Sequence, residues 1–147
     1  MRTHYDIEDL IPHKKAMCLI KRVIDWGEDW CQAEVDVADS GAFMIDGYVP
    51  AYVAIEYMAQ TVAALAGLRA KAHHKPIQLG LLLGTRLLAS PVDKMKADLV
   101  LTVRVKEIFS EDNGMAVYEC QVTGEGVELK SNLNVYQSDK IGELFSD

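Results

Sequence analysis

The order of apolar and polar positions divides the chain into segments of distinct period. AMCLIKRVIDW (16–26) and WCQAEVDV (30–37) read as two strands around the acidic turn Gly27-Glu28-Asp29, which predicts a hairpin. The loop ADSGAFMIDGYVP (38–50) follows, with two permissive glycines and with Pro50 placed to open a helix at its first position. AYVAIEYMAQTVAALAGLRAKAHH (51–74) has no proline, is rich in alanine and is apolar on nearly every face of its first four turns, so one long buried helix is expected. Beyond Lys75-Pro76, the segments GLLLGTRLLAS (80–90), ADLVLTVRVKEIF (97–109), MAVYECQVTG (115–124) and VELKSNLNVYQ (127–137) have strand length and are punctuated by Gly, Pro or Asp-Asn-Gly. One helix among five to seven strands packs most simply as an α+β domain, a curved antiparallel sheet wrapped around that helix. The tail KIGELFSD is expected to be peripheral.

Composition narrows the class. The 147 residues, 50% hydrophobic, suit a single domain spanning 1–147 with one core. Twenty-two acidic against 15 basic side chains leave a net charge of -7, and no Lys/Arg run exceeds two, so nucleic-acid binding is not expected. The helix is about 30 Å long over its first 20 residues, but Glu56 and Gln60 interrupt its apolar run, which argues for burial in protein over a membrane span. Cys18, Cys31 and Cys120 form no CxxC pair and have no metal-site spacing, and MRTHYDIEDL lacks the apolar stretch of a secretory signal; a reducing, cytoplasmic location is expected. No GxGxxG, Walker A or HExxH motif occurs, and a doubly wound fold would need helices alternating with strands, so neither a nucleotide cofactor nor a metal is expected.

Candidate chemistry centres on Glu56, set between Ala54-Ile55 and Tyr57-Met58 in the most apolar element. Burial costs an ionised carboxyl its hydration and favours the protonated form, which makes Glu56 a candidate general acid. Gln60, one turn on, lies on the same face and can orient the carboxyl; the alternatives are a plain buried polar pair, as across a dimer interface, or a Glu56 that reaches solvent at an unpaired sheet edge. His13, in IPHKKAM, is the best candidate base, since His4 is near the terminus and His73 and His74 are at the polar end of the helix. At the start of the helix, the N–H of Ala51 and its neighbours can polarise an acyl carbonyl. Met17, Tyr52, Ile55, Met58 and Ala59 can wall an acyl pocket, although helical spacing assigns them to core as readily.

The segments LIPHKKAMCLIKRVIDW (10–26), DGYVPAYVAIEYMAQTVAALAGL (46–68) and GLLLGTR (80–86) carry a resemblance. Through them the chain resembles the hot-dog-fold 3-hydroxyacyl acyl-carrier-protein dehydratases, and within these the divergent thioester dehydratases of aryl polyene pathways. The likeness extends over about residues 5–137, and DGYVPAYVAIEYMAQ is its most specific string. It implies a hot-dog fold, active sites between the subunits of a dimer, and substrates held as thioesters on the phosphopantetheine of acyl carrier protein, with no further cofactor. Glu56 matches the carboxylate that handles the departing hydroxyl, and Ala51 stands where the family has a helix-start glycine whose N–H binds the thioester oxygen. The histidine that typical members place fourteen residues before the glutamate is replaced here by Ala42, while His13 matches the histidine of the LPH segment.

The implied reaction removes water from a 3-hydroxyacyl thioester to give the trans-2-enoyl thioester. An acidic carrier protein would need a local basic patch, for which Arg86, Lys94, Lys96 and Lys71 are candidates. Two alternatives are compatible with the same residues. In an acyl thioesterase Glu56 would act as base or nucleophile; as a non-catalytic subunit the chain would complete a heterodimer whose partner carries the activity, as the alanine at 42 suggests. Both homodimer and heterodimer fit the resemblance.

Overall fold

The computed structural model describes residues 7–11, 17–75, 80–89 and 93–137. A short helix α1 (Ile7–Leu10) precedes strands β1 (Arg22–Trp26), β2 (Trp30–Asp36) and β3 (Tyr48–Pro50). After a 3-10 turn at Ala51–Val53 comes the long helix α2 (Ala54–Ala72), followed by β4 (Gly80–Ala89), β5 (Lys94–Lys96), β6 (Val100–Ser110), β7 (Met115–Gly124) and β8 (Val127–Gln137). Six strands form one antiparallel sheet in the order β1-β2-β6-β7-β8-β4, and β3 pairs with β5 in a separate ribbon.

Alternation along the strands builds the core. Cys31, Ala33 and Val35 of β2, Leu101, Val103 and Val105 of β6, Tyr118, Cys120 and Val122 of β7, and Leu129 and Leu133 of β8 all point to the face that carries α2. Helix α2 answers with Ala54, Tyr57, Met58, Thr61, Ala64, Leu65 and Leu68, a stripe at spacings of three and four. Its other side, including Ile55, Glu56, Ala59 and Ala63, is only half-buried. The span Ala51–Ala72 is long and apolar enough to cross a membrane by length and composition, but 67% of its most apolar window is buried in the fold, as expected of a core helix.

Several element bounds depart from the sequence reading. The first strand begins at Arg22, not at residue 16, because the chain at Leu19 and Ile20 is held by a side chain of α2 instead of by a neighbouring strand. Pro50 does not open the helix; it ends β3, and its missing N–H is harmless in a ribbon only three residues long. The segment from 97 onward is β6 alone, preceded by the separate strand β5, because Ala97 and Asp98 turn the chain between them. The tail at 138–147 lies outside the described residues.

Gly67 is required by a close approach. A Cβ there would stand 2.5 Å from the Leu10 carbonyl oxygen, so the absent side chain is what lets the end of α1 rest on α2. Gly67→Ala is expected to cost about 1–3 kcal/mol through this backbone clash, seen as a fall in the thermal midpoint of roughly 3–10 °C. Burial also pushes the Cys31 and Cys120 thiols from an ordinary 9.0 up to about 12, and the Tyr118 phenol from 10.0 up to about 12. In the alkaline range the folded chain therefore holds protons that the unfolded chain has lost, so stability must fall as pH rises through about 9 to 12. Urea midpoints are expected to be level up to about pH 8 and to decline above it, with a shallower decline in Cys120→Ala.

Candidate active site around Glu56

Glu56 and Gln60 occupy one stripe of α2, a turn apart, as their spacing predicts. Gln60 is fully buried and its amide is saturated. Its oxygen accepts from the N–H of Leu19 (2.8 Å) and Ile20 (3.4 Å), and its nitrogen donates to the Met17 carbonyl (2.8 Å) and to Glu56 Oε1 (3.1 Å). A side-chain amide has two donor hydrogens and two acceptor lone pairs, so no capacity remains. The hydrogen bond expected between Gln60 and Glu56 is thus present, and the same amide ties the segment after residue 16 to the helix.

Glu56 itself is half-buried, a correction to the expectation of a carboxyl with little water near it. The reason lies in which face of α2 the sheet covers. The stripe through Glu56 runs from Tyr52, 65% exposed, to Gln60, wholly buried, and the carboxyl stands at the boundary between them. Met17, 47% exposed, flanks it through the shared Gln60 amide. Ile55 and Ala59 are half-buried and pack against the core from the same side. Met58 does not belong with them: two residues on from Glu56 it is turned to the other side of the helix and is sealed in the core.

The helix start differs from expectation in one respect. The Ala51 N–H donates to the Asp93 carbonyl at 2.9 Å, so this donor is committed to joining the β3–β5 ribbon to the helix. The N–H of Tyr52, next in the first turn, has no acceptor one turn earlier in the helix. Lys94 and Lys96 are exposed on β5, with Lys94 stacked 4.3 Å from the Tyr48 ring centroid. The exposed acids Asp46, Asp93 and Asp98 share that region, and Lys71 is at the opposite end of α2, about 30 Å along the helix from Ala51. Lys71 therefore belongs to no patch with Lys94 and Lys96; Arg86 sits on β4 opposite Asn132.

His13 and His4 lie outside the described residues, and His73 and His74 follow the far end of α2, about 25 Å along the axis from Glu56. Sequence reasoning missed a buried pair at the next residue along the helix: Ser40 Oγ and Tyr57 Oη are 2.6 Å apart and both residues are fully buried. Burial pushes the Tyr57 phenol up, and its bond to Ser40 pulls the other way. No periodicity links residues 40 and 57, so nothing in the pattern announces the contact. Among the described residues no group of three or more His, Cys, Asp and Glu side chains could hold a metal.

A protein-family model described as ApeP dehydratase, of the ApeP-like family, matches residues 5–146. The chain belongs to the ApeP-like dehydratase family. This ApeP-like chain superposes, over 99% of its length and 100% of the other chain's, on a solved structure of the dehydratase heterocomplex ApeI:P from Xenorhabdus doucetiae, with a TM-score of 0.86 and 25% identity. A hypothetical thioesterase protein with coenzyme A from Streptococcus pneumoniae TIGR4 gives a TM-score of 0.61 at 13% identity, covering 80% of this chain and 84% of that one. An uncharacterized protein from Pyrococcus horikoshii gives 0.62 at 17% identity, covering 83% and 85%. The last two share the hot-dog fold. Among curated proteins nothing matches the chain. The resemblance to divergent hot-dog dehydratases of the aryl polyene type, drawn from the Glu56 region, is thereby borne out.

Gln60→Ala removes all four bonds of the saturated amide and leaves two buried N–H groups and a carbonyl without partners. At about 1–3 kcal/mol for each orphaned group, the loss is expected to exceed about 3 kcal/mol; calorimetry should show a midpoint lower by roughly 6–12 °C.

Proposed function

We propose that the chain dehydrates a 3-hydroxyacyl thioester carried on acyl carrier protein to the trans-2-enoyl thioester, as a cytoplasmic subunit of a two-chain hot-dog assembly. The observation that carries this reading is the single amide nitrogen of Gln60 that serves both Glu56 and the Met17 carbonyl. It aims a carboxyl at the solvent boundary of the helix and fixes beside it the segment that begins four residues after His13.

In the proposed reaction a base removes the proton at carbon 2, the electron pair moves to form the C2–C3 double bond, and the C3–O bond breaks. Imidazole, with an ordinary pKa of about 6.5, suits the first task and is assigned to His13. Glu56 delivers a proton to the departing hydroxyl, so that water and not hydroxide leaves. Charge gathering on the thioester oxygen needs donors that are already oriented. With the Ala51 N–H held by Asp93, the N–H of Tyr52 takes that role. Proton return from His13 to Glu56 restores the starting state, and the thioester stays intact. Tyr52, Ile55, Ala59 and Met17 form the near wall for the acyl chain.

The heterodimer part of the reading is supported by the likeness to the ApeI:P heterocomplex. It is also supported by Tyr52 and Met17, large apolar groups at the site that are exposed in the single chain and that a second subunit would cover. Among the described residues β4 ends the sheet, and that edge offers a place where another sheet would continue.

The test is turnover of a 3-hydroxyacyl thioester on acyl carrier protein, with the product read by mass spectrometry, for the chain alone and with a related hot-dog subunit. Enoyl product is expected with the subunit present, and Glu56→Gln should lower its rate by about 10²–10⁴-fold with the fold intact. Release of free thiol without enoyl product would make the chain a thioesterase; undiminished turnover by Glu56→Gln in the two-chain assembly would reduce it to a supporting subunit.

A further inference from the structure

The loop between β2 and α2 is long, and most of its length faces solvent. Val37 is tied at its start through a bond from its N–H to the Leu99 carbonyl (3.0 Å), and Ser40 follows between two consecutive 3-10 turns, 37–39 and 41–43. The Ser40 N–H donates to Val37 and its carbonyl accepts from Phe43, so its backbone closes both turns. Its side chain does something different: it crosses to α2 and meets Tyr57, the residue next to Glu56. Gly41, Ala42 and Ile45, just beyond, are exposed, Ile45 by 62%. The chain then reverses through Asp46 and Gly47, both at positive φ (53° and 80°), so that Ile45 and Tyr48 exchange two backbone bonds. β3 leads from there to Ala51, five residues before Glu56.

The Ser40 side chain thus ties the stretch 38–47 to the helix, and that tie is made where burial of two hydroxyls is expensive unless they satisfy each other. We propose that the Ser40–Tyr57 hydrogen bond is a latch that holds loop 41–45 in register with Glu56, and that Ser40 and Tyr57 are positioning residues for the acyl thioester. This rests on the dehydration reading above. Residues 41–45 are Gly, Ala, Phe, Met and Ile, so the loop supplies no reacting group and serves as a shaped wall. Apolar Ile45, held out into solvent by the turn after it, is the surface that the latch presents.

The test pairs two variants that each remove one hydroxyl with little loss of volume, Tyr57→Phe and Ser40→Ala, with Ser40→Thr to restore the hydroxyl. Hydrogen exchange reads the latch directly. Amides 41–45 should exchange about tenfold faster in both deletion variants, while the amides at the centre of α2 keep their protection. In the active assembly KM should rise by about tenfold with little change in kcat, the double variant should match either single one, and Ser40→Thr should recover both readouts. Unchanged exchange at 41–45 in Tyr57→Phe and Ser40→Ala would overturn the proposal, as would a loosened loop with an unaltered KM. If the wild-type chain shows no dehydration with any partner, the dehydration reading fails alone and exchange decides on the latch.

Discussion

One amide supports both the architecture and the chemistry of this chain. Gln60 is buried where an unsatisfied polar group is most costly, and its four bonds are divided between two jobs. Three of them anchor the backbone at Met17, Leu19 and Ile20, which precede the first strand. The fourth reaches Glu56. Because both jobs use one rigid planar group, the carboxyl and the anchored segment cannot shift independently. A site made in this way owes its precision to burial, since the amide is fixed on α2 and held by the backbone that precedes the first strand.

The corrections to the helix start follow the same logic. A helix beginning in open loop would leave its first N–H groups free, but here the β3–β5 ribbon docks on the first of them through Asp93. The ribbon gains a fixed attachment and the helix gives up one donor. Ala51 can make this bond as well as glycine could, because the N–H and not the side chain is what the contact uses. The N–H of Tyr52, which follows it, lies at the end of the 19-residue helix where the dipole favours negative charge.

What can be read in the sequence is what has a period. The β6–β7–β8 meander is written in alternation, with Leu101, Val103 and Val105 or Leu129 and Leu133 at every second place, and its ladders follow the pattern closely. Glu56 and Gln60 stand out because a turn of helix separates them. The exposure of Glu56 is not legible, since a helix apolar on nearly every face does not say which side the sheet leaves open. Strands of three residues, such as Tyr48–Pro50 and Lys94–Lys96, have too few positions to show a pattern and exist only because they pair with each other. The Ser40–Tyr57 contact is invisible for a related reason: it depends on tertiary proximity alone. Met58 fails as a pocket wall because it neighbours Glu56 along the chain and not in space.

The order of strands also governs when the domain can form. β4 follows α2 directly in the chain, but in the sheet it lies beyond β8, the last of the described strands, and pairs with no other strand among the described residues. As the chain leaves the ribosome, α2 emerges long before β6, β7 and β8 exist to cover it. Its tyrosine, leucines and methionine wait uncovered until residues 100–137 have appeared. Assembly is therefore dominated by contacts distant in sequence and slow for a protein of this size, with α2 the segment that most needs shielding in the interval.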